Sequence, residues 1–149
     1  MKTALFPGTF DPFTIGHADI VSRALRLFDK VIVAIGVNEN KVPFQSLEKR
    51  TAAIQTLYKG DARVEICAYT GLTIDAAKQH GANFLLRGVR SMKDFEYERD
   101  IADINFRLSG IETVFLFCKP ELATVSSSLV RELHHFGRDI SDFLPQAIQ

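Results

Sequence analysis

Thr3-Ala4-Leu5-Phe6-Pro7-Gly8-Thr9-Phe10-Asp11-Pro12-Phe13-Thr14-Ile15-Gly16-His17 opens the chain, and its reading decides the architecture. An apolar, strand-like run from Thr3 to Phe6 breaks at Pro7-Gly8. After His17 an apolar pattern with helical spacing takes over: Ile20, Val21, Ala24, Leu27 and Phe28. A strand that passes through a Gly/Pro turn straight into a helix aims the free N–H groups of the helix start past the sheet edge, where the helix dipole favours an anion. Polyphosphate is the ligand class that suits this arrangement. Thr14 is the expected N-cap, Gly16 leaves room for close backbone approach, and His17 falls in the first turn, pointing forward into the site. The imidazole has two readings. It caps the helix, or it donates to a phosphate oxygen whose charge shifts during substitution at phosphorus. Thr14, Gly16 and the preceding turn favour the second.

Working outward, apolar runs recur at Val31–Val37, Val64–Ala68, Phe84–Leu86 and Val114–Phe117. Helical patterns separate them at about Leu47–Lys59, Leu72–His80 and Met92–Ser109. Short, nearly continuous apolar strands alternating with amphipathic helices imply a sheet covered on both faces. With right-handed crossovers the expected fold is α/β and Rossmann-like: a doubly wound, five-stranded parallel sheet with helices on both faces. Ligands of such sheets bind beyond the carboxyl ends of the strands, where strand order reverses. The 149 residues suffice for one sizeable core, so residues 1–149 read as a single domain. Asp139–Gln149 is expected to pack as an irregular tail or short helix.

Eighteen Lys and Arg balance eighteen Asp and Glu, so no global basic field recruits nucleic acid or an anionic membrane. No apolar run approaches the roughly twenty residues that span a bilayer, and no leader pattern precedes the first strand, so a cytosolic location is expected. Cys67 and Cys118 lie in apolar runs without C-x-x-C spacing and read as buried, inert thiols. His134-His135 are adjacent on a helix and point about 100° apart, which suits helix surface better than a shared metal.

Three further constellations sit at expected strand ends. Arg87-Gly88-Val89-Arg90-Ser91 follows the Phe84–Leu86 strand and offers two guanidinium forks around a glycine. In the next helix, Glu98 and Asn105 share a face with Ile101 and Leu108, and polar groups on a buried stripe need either a ligand or a neighbouring arginine. Thr124-Val125-Ser126-Ser127-Ser128 begins the last helix with more hydroxyls and N–H groups than capping alone requires, a second anion-ready helix start.

Together, Gly8-Thr9-Phe10-Asp11-Pro12, Thr14-Ile15-Gly16-His17 and Val125-Ser126-Ser127-Ser128-Leu129-Val130-Arg131 resemble the two signatures of the nucleotidyltransferase superfamily. Asn40-Lys41, Arg87-Gly88-Val89-Arg90 and Asp94-Phe95-Glu96-Tyr97-Glu98 narrow the resemblance to bacterial phosphopantetheine adenylyltransferases. It implies reversible transfer of adenylate from ATP to 4′-phosphopantetheine, giving dephospho-coenzyme A and pyrophosphate without a covalent enzyme intermediate. It also implies residue roles. Thr9 and His17 would contact the reacting phosphates, Lys41 would bridge attacking and transferred phosphate, and Arg87 would hold the acceptor phosphate. Phe10, Gly88, Val89, Arg90, Glu98, Leu122, Ala123, Thr124, Val125, Ser126, Ser127 and Ser128 would form the ATP pocket, with Arg90, Ser127 and Ser128 nearest the departing pyrophosphate.

Thr73 and Glu132 would lie beside the pantetheine arm. Magnesium (Mg2+) would ride mainly on ATP phosphates and water, because no carboxylate cluster appears at the strand ends. A homohexamer, and coenzyme A as a feedback ligand, belong to the same implication. Two positions depart from the family pattern: Gly71, where many members are acidic, and Thr73, often methionine or another apolar residue. The rival readings are a nicotinate-mononucleotide adenylyltransferase or another small-substrate nucleotidyltransferase, and, in a different class, a noncatalytic adenine-nucleotide sensor.

Overall fold

The apolar runs pair into one parallel sheet. The computed structural model describes residues 1–149, with strands β1 (Thr3–Gly8), β2 (Lys30–Gly36), β3 (Val64–Tyr69), β4 (Phe84–Val89) and β5 (Glu112–Phe117). Helices α1 (Ile15–Ala24), α2 (Leu47–Leu57), α3 (Thr73–Gln79) and α4 (Met92–Ser109) connect them, and α5 (Ser127–His135) follows the last strand. The strand order is β3-β2-β1-β4-β5 with every pairing parallel, the expected doubly wound sheet. The chain builds outward from β1 to β3 and then returns to lay β4 on the other side of β1. Order therefore reverses between β1 and β4.

Alternation along the strands sends side chains to two cores. Ala4, Phe6, Val31, Val33 and Ile35 pack against Ile20, Val21 and Ala24 of α1 and Ile54 of α2. Leu5, Ile32, Ala34 and Leu85 face the other way, onto Ile74, Ala76 and Ala77 of α3. All five residues from Val31 to Ile35 are fully buried, which is why β2 reads as a continuous apolar run rather than an alternating one. Each such Val or Ile contributes about 1.5–3 kcal/mol of transfer free energy.

Strand ends depart from the sequence reading in an informative way. Pro7-Gly8 does not end β1, and β4 runs three residues past Leu86 to include Arg87, Gly88 and Val89. Between β1 and β4 the register holds only Ala4 with Phe84 and Leu5 with Leu85, whereas β1 stays paired with β2 as far as Gly8. Pro7 explains the difference. It has no N–H, and its carbonyl, on the side of β4, accepts instead from Arg87 Nη1 at 2.7 Å. A proline in the central strand thus opens the sheet at the point where strand order reverses.

Helix α4 is built differently from the others. Ser91 caps its start by accepting from Asp94 N–H at 3.2 Å, and Gly110 ends it in the left-handed conformation. Over eighteen residues it buries none, and Tyr97, Ile101, Ile104 and Leu108 remain exposed. The tail forms two 3-10 turns, Ser141–Phe143 and Gln146–Ile148. No helix is long and apolar enough to cross a membrane.

Candidate active site

Beyond the carboxyl ends of β1 and β4 lies a cavity of about 330 Å³. Its walls are the β1 turn (Gly8, Thr9, Phe10), the start of α1 (Thr14, Gly16, His17), the end of β4 (Arg87, Gly88, Arg90) and the start of α5 (Val125, Ser126, Ser127, Ser128). Two helix N-termini separated by more than a hundred residues therefore open on one space, as an anion site requires. Ser127 Oγ donates to Pro12 O at 2.8 Å and fastens α5 to the turn before α1. Arg131 strengthens this seam, with Nη1 on Asp11 O at 2.8 Å and Nη2 on Ser128 Oγ at 3.1 Å.

The capping reading of His17 is realised in the structure, and the ring also lines the cavity. Thr14 N–H donates to His17 Nδ1 at 2.9 Å, and His17 N–H donates to Thr14 Oγ1 at 3.4 Å, a capping box in which histidine stands where Glu or Gln is usual. Because Nδ1 accepts a backbone hydrogen bond it carries no proton, so the neutral ring carries its proton on Nε2. Capping sets the tautomer and leaves a donor for the cavity that His17 lines. Desolvation, with smaller contributions from the Arg87 and Arg90 charges, lowers the His17 pKa from 6.5 to about 3. The ring sits among Phe10 at 5.0 Å, Phe13 at 5.3 Å and Phe6 at 6.3 Å between centroids.

This aromatic nest constrains the turn. Phe10 adopts φ +51°, a left-handed conformation that disfavours a phenylalanine, while its ring is 3% exposed. A Cβ on Gly8 would come within 2.8 Å of Phe10 Cζ, so glycine is what allows the ring to lie against β1. At Gly16 a Cβ would stand 3.4 Å from Thr14 Oγ1, ordinary contact. The protein itself therefore does not require glycine there, and the open space at Gly16 belongs to the cavity wall.

Arg87 and Glu98 separate this cavity from a second one of the same volume, about 330 Å³. The guanidinium is bidentate on Glu98, Nε at 2.9 Å and Nη2 at 2.7 Å. With Nη1 on Pro7 O, two of its five N–H groups stay free. Glu98 thus finds the neighbouring arginine that its place on α4 called for. Thr9, Gly8 and Pro7 also border both spaces. The second cavity continues between α3 and α4 along Gly36, Tyr69, Thr73, Ile101, Asn105 and Thr113. Tyr69 OH and Thr73 Oγ1 are hydrogen-bonded at 3.0 Å, whereas Thr113 Oγ1 is buried without a partner. Gly71 sits at φ +81° in the turn before α3.

Of the sequence-derived site residues, Phe10, His17, Gly88, Arg90, Val125, Ser126, Ser127 and Ser128 line the first cavity, Thr73 the second, and Thr9, Arg87 and Glu98 both. Lys41 is exposed on the β2–α2 loop, and Glu132 is exposed on α5. Neither lines either cavity. Val89 is buried in the sheet, and Leu122, Ala123 and Thr124 lie in the turn before Val125, away from both walls. Cys118 corrects the reading of a sealed thiol: it is half-buried and lines the first cavity, with its pKa raised by desolvation, so it stays protonated. Cys67 is half-buried likewise. No group of three or more His, Cys, Asp or Glu side chains is placed to hold a metal ion.

Sequence reasoning passed over Asp11, Arg50 and Arg131 as side chains with work of their own. Asp11 and Arg50 are 4% and 5% exposed; Asp11 binds backbone of the loop before α2, and Arg50 and Arg131 bind backbone of the turn after β1. The available signal was Asp11 inside the opening turn and Arg50 on the buried face of α2.

Residues 5–133 match the family described as Cytidylyltransferase-like, so fold and sequence define a nucleotidyltransferase. The fold is shared with a bifunctional NMN adenylyltransferase/ADP ribose pyrophosphatase from Francisella tularensis, at TM-score 0.72 and 17% identity over 96% of this chain and 44% of that one. Phosphopantetheine adenylyltransferase from Bacteroides thetaiotaomicron is 53% identical over 149 residues, 100% of this chain and 99% of its own length. Its counterpart from Porphyromonas gingivalis is 54% identical over 143 residues, 96% and 94% of the two chains. The chain belongs to the phosphopantetheine adenylyltransferase family.

Proposed function

We propose that this enzyme transfers the adenylyl group of ATP to 4′-phosphopantetheine, forming dephospho-coenzyme A and pyrophosphate in coenzyme A synthesis. The observation that carries the reading is the junction of two cavities at Thr9 and Arg87, one faced by two helix N-termini and one running between α3 and α4. ATP would lie in the first, its phosphates against the start of α1 and Ser127-Ser128. The acceptor's phosphate would meet the two free N–H groups of Arg87, and its amide-bearing arm would follow Thr73, Asn105 and the unpartnered Thr113.

Attack is in line. An oxygen of the acceptor phosphate forms a bond to the α-phosphorus as the bond to pyrophosphate breaks. A phosphate is already a competent nucleophile near neutral pH, so alignment and charge stabilisation suffice. The raised Cys118 pKa fits a reaction without a covalent enzyme intermediate. His17 Nε2–H donates to the α-phosphate as its charge shifts, Arg90 faces the leaving pyrophosphate, and Lys41 swings in from its exposed loop to bridge the two reacting phosphates.

Magnesium would come with ATP and would supply charge neutralisation at its phosphates. Asp94 and Glu98, the carboxylates of the first cavity, are each engaged by an arginine, at 3.4 Å from Arg90 and 2.7 Å from Arg87, so nucleotide oxygens and water would hold the ion. The spacing of Tyr97, Ile101, Ile104 and Leu108 on a helix without buried residues suits pairing with another copy, as the proposed homohexamer would need. Coenzyme A, carrying the same arm, would bind as a feedback ligand, with Gly71 and Thr73 modulating the arm. A cytoplasmic location belongs to the same proposal. A pyrophosphate-release assay offering phosphopantetheine, nicotinate mononucleotide and glycerol phosphate in turn tests the assignment. Turnover with phosphopantetheine is expected, and turnover of only another acceptor refutes it.

A further inference from the structure

Two buried charges outside both cavities, Asp11 and Arg50, join the Thr9 turn to the loop that carries Lys41. Asp11 accepts from Phe44 N–H on Oδ2 and from Gln45 N–H on Oδ1, each at 2.8 Å. Arg50 donates from Nε to Gln45 O at 3.0 Å and from Nη1 to Thr9 O at 2.9 Å, and it forms no ion pair. Burying an unpaired guanidinium and a carboxylate is costly unless fixed dipoles hold them. Here the dipoles belong to two segments more than thirty residues apart, and what the charges secure is the register between them. Phe44 adds a ring contact to His134 at 5.0 Å between centroids.

Beyond this clip the loop has little to hold it. Lys41 N–H reaches Asn38 O at 3.2 Å, Asn40 N–H reaches Asn38 Oδ1 at 3.0 Å, and Val42 is 97% exposed. Lys41 is three residues from the clipped Phe44, a span of about 10 Å at most. Asp11 is two residues from Thr9, which borders both cavities. The clip therefore sets how far Lys41 can stray from the junction where the phosphates would meet.

We infer that Asp11, supported by Arg50, is a positioning residue for adenylyl transfer, holding the Lys41 loop in register with Thr9. The inference rests on the role proposed for Lys41. Asp11→Asn replaces one carboxylate oxygen with an NH2 that opposes a backbone N–H. It is expected to lower kcat about 100-fold, the scale of a misplaced reacting group, while ATP affinity measured by calorimetry changes less than about threefold. In a Lys41→Ala background the same substitution is expected to cost less than about threefold more, because the group it positions is gone. Arg50→Lys, which cannot reach both carbonyls, should follow the same pattern.

The outcomes separate. If Lys41→Ala turns over like wild type, the role of Lys41 fails and the inference with it. If Lys41→Ala is slow but Asp11→Asn multiplies the loss independently, or weakens ATP as much as turnover, Lys41 keeps its role and positioning is overturned. If Asp11→Asn does not fold, Arg50→Lys carries the same cycle. Should neither variant fold, both residues serve the fold alone and the inference is refuted.

Discussion

The first cavity and the flank formed by α4 and the Lys41 loop are assembled on opposite principles. Around the cavity, Thr14, Phe10, Asp11 and Phe13 are each no more than 4% exposed, and the α1 and α5 starts are locked together by Ser127 and Arg131. On the flank, an eighteen-residue helix buries no side chain and Lys41 stands in solvent. The difference teaches where the energy of preorganisation has been placed. Groups that would face shifting charge are held by buried hydrogen bonds before substrate arrives, and the proposed acceptor side is left to be completed by loop position.

The largest expected effect falls on the rigid half. His17→Ala should cut turnover by about 100-fold or more while ATP binding stays within about tenfold, measured by pyrophosphate release and calorimetry. Equal loss of both would make the histidine a capping group only and erase the contrast.

Next comes assembly. If the proposed assembly forms through α4, the double variant Ile101→Asp, Ile104→Asp should sediment as the 16.7 kDa chain while ATP still binds, since α1 and α5 lie elsewhere. An unchanged mass would remove α4 from the interface. Gly8→Ala should destabilise by about 1–3 kcal/mol in urea titration, because the Phe10 ring must move away from the new Cβ.

The smallest and most selective effect is on pH. The folded His17 pKa, about 3, lies below the ordinary 6.5. The unfolded chain therefore binds a proton first on acidification, and the stability contributed by the neutral ring is complete above pH 6.5 and lost as pH falls from there toward 3. In the ligand-free protein, 15N-detected NMR should find His17 neutral at pH 5 with the proton on Nε2. A ring titrating near 6.5 would show that the nest does not exclude water.

Much of the fold was legible in the chain because it depends on local periodicity. The apolar run Val31–Ile35 and the helical spacing after His17 name their elements without help from distant residues. Strand ends were not legible. Arg87 looks like a loop residue, yet it is the fourth residue of β4, since the carbonyl of Pro7 and the carboxylate of Glu98 accept from its guanidinium at the end of the strand.

Residue types and their spacing alone determined the doubly wound sheet, the two helix starts at its carboxyl end and the family to which the chain belongs, for these follow from patterns within a few turns of chain. Tertiary structure alone decided the His17 tautomer, the splitting of the crevice by Arg87 and Glu98, and the clip from Asp11 and Arg50 to the Lys41 loop. Each of these depends on hydrogen-bond partners brought together by folding, and partners distant along the chain leave no periodic trace in it.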